Sequence, residues 1–226
     1  MCRSSDLTAS TSAPPPSSRV YTKNIPQNPI SQAAFEHASN LLAPAILSHS
    51  MRVYLYAKAL AEHAESVYAT DPAKLDLLFT ACLFHDIGTT NKYDGLQRFE
   101  VEGGDAAVQH LDQFGIGAVD KHDVWTAIAC HTSPQIAERI GELSRLVRQA
   151  VVTDFGRKSS VWDVLLPLRE GIERNLGRAG IEKVLGDAVV EQAKRRPEKA
   201  PMVSWPGAMY RAHLAEPDWS GVNKMF

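Results

Sequence analysis

Leu78-Phe79-Thr80-Ala81-Cys82-Leu83-Phe84-His85-Asp86-Ile87-Gly88-Thr89-Thr90 is the stretch on which the reading of this chain turns. An apolar run ends abruptly in His-Asp, and Gly88 then stops it. On a helix, Leu78, Cys82 and His85 fall at i, i+4 and i+7, so the histidine continues the apolar stripe. Asp86, beside it, can turn inward as well. The dipeptide alone carries little. His122-Asp123 repeats it, but follows Lys121 and opens a helix, where Asp123 reads as a cap or first-turn acid.

Three other segments carry polar residues on apolar stripes in the same way. Leu143, Val147 and Val151 lead to Asp154; Val124 and Ile128 lead to His131; and His49 is in register with Val53, Tyr56 and Leu60. A buried, unpaired carboxylate costs several kcal/mol, about what one domain can spare. Asp154 therefore requires a cation, a set of donors or a metal. A single such histidine is more often a satisfied core residue. Four polar residues from separate helices, with Asp86, instead suggest imidazole and carboxylate ligands converging on Zn²⁺, Mn²⁺ or Fe²⁺.

The surrounding pattern is helical. Ser31 is a plausible cap for a helix over 32–43, and Pro44 opens one reaching about 68. Further helices are predicted over 71–85, 98–114, from a cap at Asp120 or Asp123 to 131, over 142–154, and over 164–196 with glycine breaks. A polar loop covers 89–97. Val151-Val152-Thr153 is the one short β-branched cluster. The fold class is all-α. Residues 1–19 are Ser-, Thr- and Pro-rich and read as a disordered tail, leaving one domain over 20–226.

Composition bounds the rest. The chain has 226 residues, 24 basic and 26 acidic, a net charge of −2 and 44% hydrophobic content. That is an ordinary globular balance with no bulk drive toward phosphate backbones, so no nucleic-acid partner is expected. Cys2, Cys82 and Cys130 are an odd set at unrelated spacings, which speaks against a disulfide framework. Neither a signal sequence nor a membrane-spanning run is apparent. The expectation is a cytoplasmic protein without a membrane partner. Homo-oligomerisation stays open.

With these residues in place, the chain resembles the HD-domain superfamily, helical metal-dependent enzymes with the order His … His-Asp … Asp. His49, His85-Asp86 and Asp154 match that order, and the resemblance spans roughly residues 35–160, with 161–226 as a C-terminal extension. Within the superfamily it looks most similar to fungal cyanamide hydratases. His49-Ser50-Met51-Arg52-Val53, His85 to Thr90, and Phe99-Glu100 followed by Gly103-Gly104 are similar to that group's three motifs. The resemblance implies a helical bundle with a metal in its core, ligated by His49, His85, Asp86 and Asp154. Zinc, one per chain, is the metal implied, with Fe²⁺ or Mn²⁺ also compatible. Many two-metal relatives have a histidine where this chain has Glu100, so a mononuclear site is implied. The connection between the second and third motifs is shorter than is usual in the group.

The implied reaction is hydration of cyanamide, or a related small nitrile-like compound, by metal-activated water. His131 is the candidate proton carrier. Glu100 is the candidate for positioning water or substrate. Thr89, Lys92 and Thr153 are candidate substrate contacts. The alternative is a phosphohydrolase acting on a nucleotide or other small phosphate ester, which needs Arg or Lys near the metal. Arg52 and Lys92 are the near candidates. His110 would be a sixth ligand of a dinuclear site, but lies about 15 Å beyond Glu100 along a helix. His37, His63 and His213 read as surface or packing residues. Trp205 and Trp219 suggest that the extension packs within the chain.

Overall fold

The computed structural model describes residues 21–226, so the tail predicted over 1–19 lies outside the described residues. Helix α1, Pro29–Leu41, begins where the Asn28 side chain accepts from the Ile30 amide and Pro29 stands in the first turn. Ser31 is therefore not its cap. It sits inside α1, and its hydroxyl donates to Asp76 Oδ1 at 2.5 Å.

Helix α2, Pro44–His63, stops short of residue 68. Glu65 takes a left-handed φ of 50°, and Ser66 caps the short α3, Val67–Thr70. Helix α4, Pro72–Phe84, is capped by Asp71 and ends directly before His85. The predicted polar loop contains two 3₁₀ turns, Ile87–Thr89 and Asn91–Tyr93.

Helix α5 is Phe99–Asp112 and α6 is Ala118–Ala129. Helix α6 starts after Gly117, so Asp120 is a first-turn acid and neither aspartate is the cap. Helix α7 is Glu142–Asp154 and contains the β-branched cluster. The predicted 164–196 segment is two helices, α8 (Trp162–Asn175) and α9 (Ile181–Arg195), separated where Gly180 adopts φ 69°. The sequence reading did not anticipate α10, Trp205–Ala215, which Ser204 caps through the Gly207 amide. Among the described residues no strand occurs, and no helix is long and apolar enough to cross a membrane.

Helix α2 is the axis of the bundle. Residues 45–54 are buried without a break, and α4, α7, α8 and α9 pack around them. Such all-round burial is what a central helix needs, and each fully buried Leu, Val or Met contributes about 1.5–3 kcal/mol.

Two glycines set how closely α5 approaches the end of α4. A Cβ on Gly88 would lie 2.0 Å from the Phe99 carbonyl oxygen, and one on Gly103 would lie 2.8 Å from that of Phe84. The Gly88-containing turn and α5 therefore meet backbone to backbone, which fixes the direction of His85 and Asp86. The extension closes over this turn: Gln192 of α9 donates to the Gly88 carbonyl at 2.9 Å. Buried Lys199 pairs with Asp94 of the loop at 3.0 Å.

Candidate metal centre

Four buried side chains meet between α2, α4, α6 and α7. His49 comes from α2, His85 and Asp86 follow α4, and His131 follows α6. Nε2 of His49 and Nε2 of His85 are 3.1 Å apart. Asp86 Oδ2 lies 3.5 Å from the first and 3.1 Å from the second. His131 Nε2 is 3.6 Å from Asp86 Oδ1. One donor atom from each of His49, His85 and Asp86 lies within 4.8 Å of the others.

The other ring nitrogen of each histidine is already committed. His85 Nδ1 donates to the Cys82 carbonyl and His131 Nδ1 to the Ile128 carbonyl, both at 2.7 Å. His49 Nδ1 is 2.6 Å from Asp154 Oδ2. Carbonyls and carboxylates only accept, so each Nδ1 carries a proton, and in the neutral imidazole each Nε2 turns a lone pair toward the cluster. Both oxygens of Asp86 are buried without a hydrogen-bond partner among the described residues. Converging acceptors with no donor among them repel one another unless a cation sits between them. The donor set therefore fits a divalent metal held by nitrogen and oxygen.

Burial pushes the His49 imidazole below its ordinary pKa and outweighs the opposing hydrogen bond to Asp154 and that carboxylate's charge, which keeps Nε2 free to ligate. At His85 burial acts in the same sense and is the largest single influence, but Asp86, the Cys82 carbonyl and Asp154 together raise the group above its ordinary pKa. The Asp86 carboxylate favours a cation at this position, whether proton or metal.

Asp154 stands apart from the other three predicted ligands. Arg52, one turn beyond His49 on α2, grips it with two bonds, Nε to Oδ1 at 2.7 Å and Nη2 to Oδ2 at 2.8 Å. With His49 Nδ1 also on Oδ2, Asp154 is placed behind His49 as the group that orients it. Burial would raise its carboxyl, but the Arg52 and His49 hydrogen bonds hold it well below the ordinary carboxylate range. Arg52 is itself fully buried, and its Nη1 donates to the carbonyls of Leu176 and Gly177. It has no hand for a substrate.

A cavity of about 500 Å³, counting its open mouth, leads down to the histidines and Asp86. Its walls include Thr132, Arg148, Val152, Phe155, Leu185, Trp205 and Phe226. Phe155 packs on the His49 ring with centroids 4.7 Å apart, and Phe226 packs edge-on to both Phe155 and Trp205. His131 lines this cavity.

The other predicted contacts are elsewhere. The Thr89 hydroxyl folds back onto the Asp86 carbonyl at 2.7 Å. Lys92 lies over the Tyr93 ring and borders a separate pocket with His37 and His110. Thr153 is fully buried in α7 and its hydroxyl has no partner. Glu100 is fully buried and does not border the cavity. Arg98 holds it through Nη2 to Oε1 at 2.5 Å and Nε to Oε2 at 3.1 Å, and the Thr132 hydroxyl donates to Oε1 at 2.7 Å. His110 is turned away, bonding the Ile30 carbonyl at 3.1 Å.

Sequence reasoning missed Thr132 and two cavity arginines, Arg148 and Arg157. A signal for Arg148 existed: Arg148, Val151, Val152 and Phe155 repeat at i, i+3, i+4 and i+7, a face of α7 and its C-cap that meets the stripe ending in Asp154 at Val151. Leu185, Trp205 and Phe226 arrive from the distant extension, and no local pattern marks them.

Among comparisons with known proteins, the HD domain family model matches residues 46–165, just over half of the chain. No curated protein matches.

Proposed function

Because the chain belongs to the HD domain family, we propose that it is a metal-dependent enzyme adding water to a small nitrile, cyanamide being the leading substrate and urea its product. The observation that carries the metal chemistry is the acceptor-only cluster of His49, His85 and Asp86 at the floor of a cavity that His131 also lines. The preference for a nitrile rests on the likeness of three sequence motifs to fungal cyanamide hydratases.

In this reading His49, His85 and Asp86 hold one zinc ion, and Asp154 sets the tautomer and angle of His49. When bound, the metal supplies Lewis acidity, which makes water nucleophilic near neutral pH. The residues of the chain do the rest. His131 has its Nδ1 proton committed to Ile128, so only Nε2 can exchange protons with the cavity. It takes a proton as water oxygen bonds to the nitrile carbon, and returns it to the nitrogen as a C–N π bond opens. The product isourea tautomerises to urea. Val151, Val152 and Phe155 form an apolar wall against a small uncharged substrate.

A second reading, hydrolysis of a small phosphate ester, is favoured by one observation. Arg148 and Arg157 both line the cavity, and guanidinium groups suit phosphate. Both already have protein partners: Arg148 bonds the His131 carbonyl and Glu138, and Arg157 bonds the Phe226 carbonyl. The discriminating experiment combines metal analysis of the purified chain with a substrate panel, cyanamide read by urea and nucleotide phosphates read by released phosphate. About one zinc per chain with urea formation supports the proposal. Phosphate release without urea formation replaces it with the second reading.

A further inference from the structure

One side of the cavity is walled by an unbroken chain of rings. Phe155 lies against His49 with centroids 4.7 Å apart, Phe226 meets Phe155 at 4.8 Å, and Trp205 meets Phe226 at 5.5 Å. Phe99 then links Trp205, at 6.1 Å, to His131, at 5.7 Å. All of these residues except Phe99 line the cavity, so Phe226 and both of its ring partners do. Centroid separations of this size are contact distances for aromatic rings. The Phe226 ring is also held from behind, where a Cβ on Gly186 of α9 would lie 3.6 Å from its Cδ2. Its backbone is pinned as well. The Phe226 amide donates to the Asn223 carbonyl at 2.9 Å, Asn223 Nδ2 donates to the Met209 carbonyl of α10 at 2.9 Å, and Arg157 donates to the Phe226 carbonyl. Trp205 and Phe226 both lie beyond residue 165, where the family match ends.

We infer that Phe226, backed by Trp205, is a specificity-determining residue. Its ring fills the space that a bulky substituent on a metal-bound ligand would take, so the site accepts small substrates and rejects aryl-substituted ones. The inference rests on the proposed metal site but not on nitrile turnover. The wall governs size and not polarity, since Arg148 and Arg157 stand in the same lining with guanidinium donors. A ring packed on both sides cannot yield without losing those contacts. Removing it opens a ring-shaped hole continuous with the cavity, and even one methylene of fit in an apolar pocket is worth about 10–200-fold.

The test uses the zinc-loaded full chain and two ligands that share a metal-binding group, acetohydroxamate and benzohydroxamate, which differ by a phenyl ring in place of a methyl group. Calorimetric affinities are measured for the unaltered chain, Phe226→Ala, Phe226→Leu and Trp219→Ala, with thermal unfolding as the check on folding. The unaltered chain should bind acetohydroxamate about tenfold more tightly, or better. Phe226→Ala should shift the ratio of the two affinities toward benzohydroxamate by about tenfold. Phe226→Leu, which keeps an apolar anchor, should shift it the same way by less. Trp219, whose indole donates to the Val222 carbonyl, belongs to the same segment but does not line the cavity, so Trp219→Ala should leave the ratio in place. The inference is overturned if the unaltered chain binds benzohydroxamate as tightly, or if acetohydroxamate does not bind. It is equally overturned if a folded Phe226 variant keeps the unaltered ratio, or if Trp219→Ala shifts the ratio as far as Phe226→Ala. Urea formation from cyanamide is scored separately. Its absence with the size preference intact would refute the nitrile reading and leave the role of Phe226 standing, and urea formation without the preference would do the reverse.

Discussion

Asp86 and Asp154 are both buried carboxylates at the ends of apolar helices, and they solve the same electrostatic problem in opposite ways. Asp154 has its cation built in: Arg52 takes both oxygens, and His49 adds a third bond. Asp86 has no hydrogen-bond partner on either oxygen and faces three imidazole lone pairs. A charge buried without a counter-ion is costly, whereas a paired one is tolerated. The first arrangement is complete within the chain, and the second is complete only with a cation from outside. The difference sets apart a carboxylate left open to a cation from one already committed to Arg52 and His49.

The largest expected effect is at Asp86. Asp86→Asn removes the negative charge from the cluster but leaves its packing, so helical content should be preserved while bound zinc falls to under about a tenth of an equivalent and turnover disappears. Metal analysis beside circular dichroism checks this. Full metal content in Asp86→Asn would erase the contrast, because the unpartnered oxygens would then have no cation to hold. Next in size is His131→Ala, which should keep zinc and lower kcat by about 10²–10⁴-fold, the usual worth of a positioned acid–base group. Zinc loss in that variant would make His131 a fourth ligand.

Asp154→Asn should fall between fold and function. It leaves Arg52 buried with only carbonyl partners, and breaking a buried pair costs about 3–5 kcal/mol. Zinc affinity should fall only about 10–100-fold, as expected for a group that orients a ligand. Denaturant unfolding and competition with a zinc chelator separate the two quantities. Complete loss of zinc with unchanged stability would place Asp154 among the direct ligands.

The contrast also shows what the sequence could express. Helical periodicity marked His49, His85, His131 and Asp154 as inward-facing, and all four are buried. It could require a cation for Asp154 but could not distinguish a guanidinium from a metal, because Arg52 is 102 residues away and lies within an unbroken buried run. Thr89, Lys92 and Thr153 were nominated by closeness in sequence to the motifs. Closeness along a helix says nothing about which side chain faces the cavity. Thr89 bonds its own turn, and Thr153 is enclosed on the far side of the α7 face carrying Val152. The Arg98–Glu100–Thr132 network was illegible for a related reason: Thr132 follows a different helix, 32 residues beyond Glu100.

A third buried carboxylate gives the smallest effect and the cleanest control. Asp76 of α4 accepts one hydrogen bond, from Ser31 at 2.5 Å, while among the described residues its Oδ2 has no partner and no cation is paired with it. Burial raises its carboxyl above the ordinary aspartate value, and the Ser31 hydrogen bond only partly offsets this. The folded state therefore binds this proton more tightly than the unfolded chain does. The contribution is favourable below the unfolded value and is lost as pH rises from there through the raised folded value. Asp76→Asn keeps the shape, removes the titration, and should gain about 1 kcal/mol at neutral pH relative to the unaltered chain. The gain should vanish below about pH 4, where both states of the carboxyl are protonated. Urea unfolding at several pH values, with zinc content unchanged throughout, checks it. A loss of stability at neutral pH would mean that Asp76, like Asp154, is compensated in the fold. Asp86 would then stand alone in needing a cation from outside.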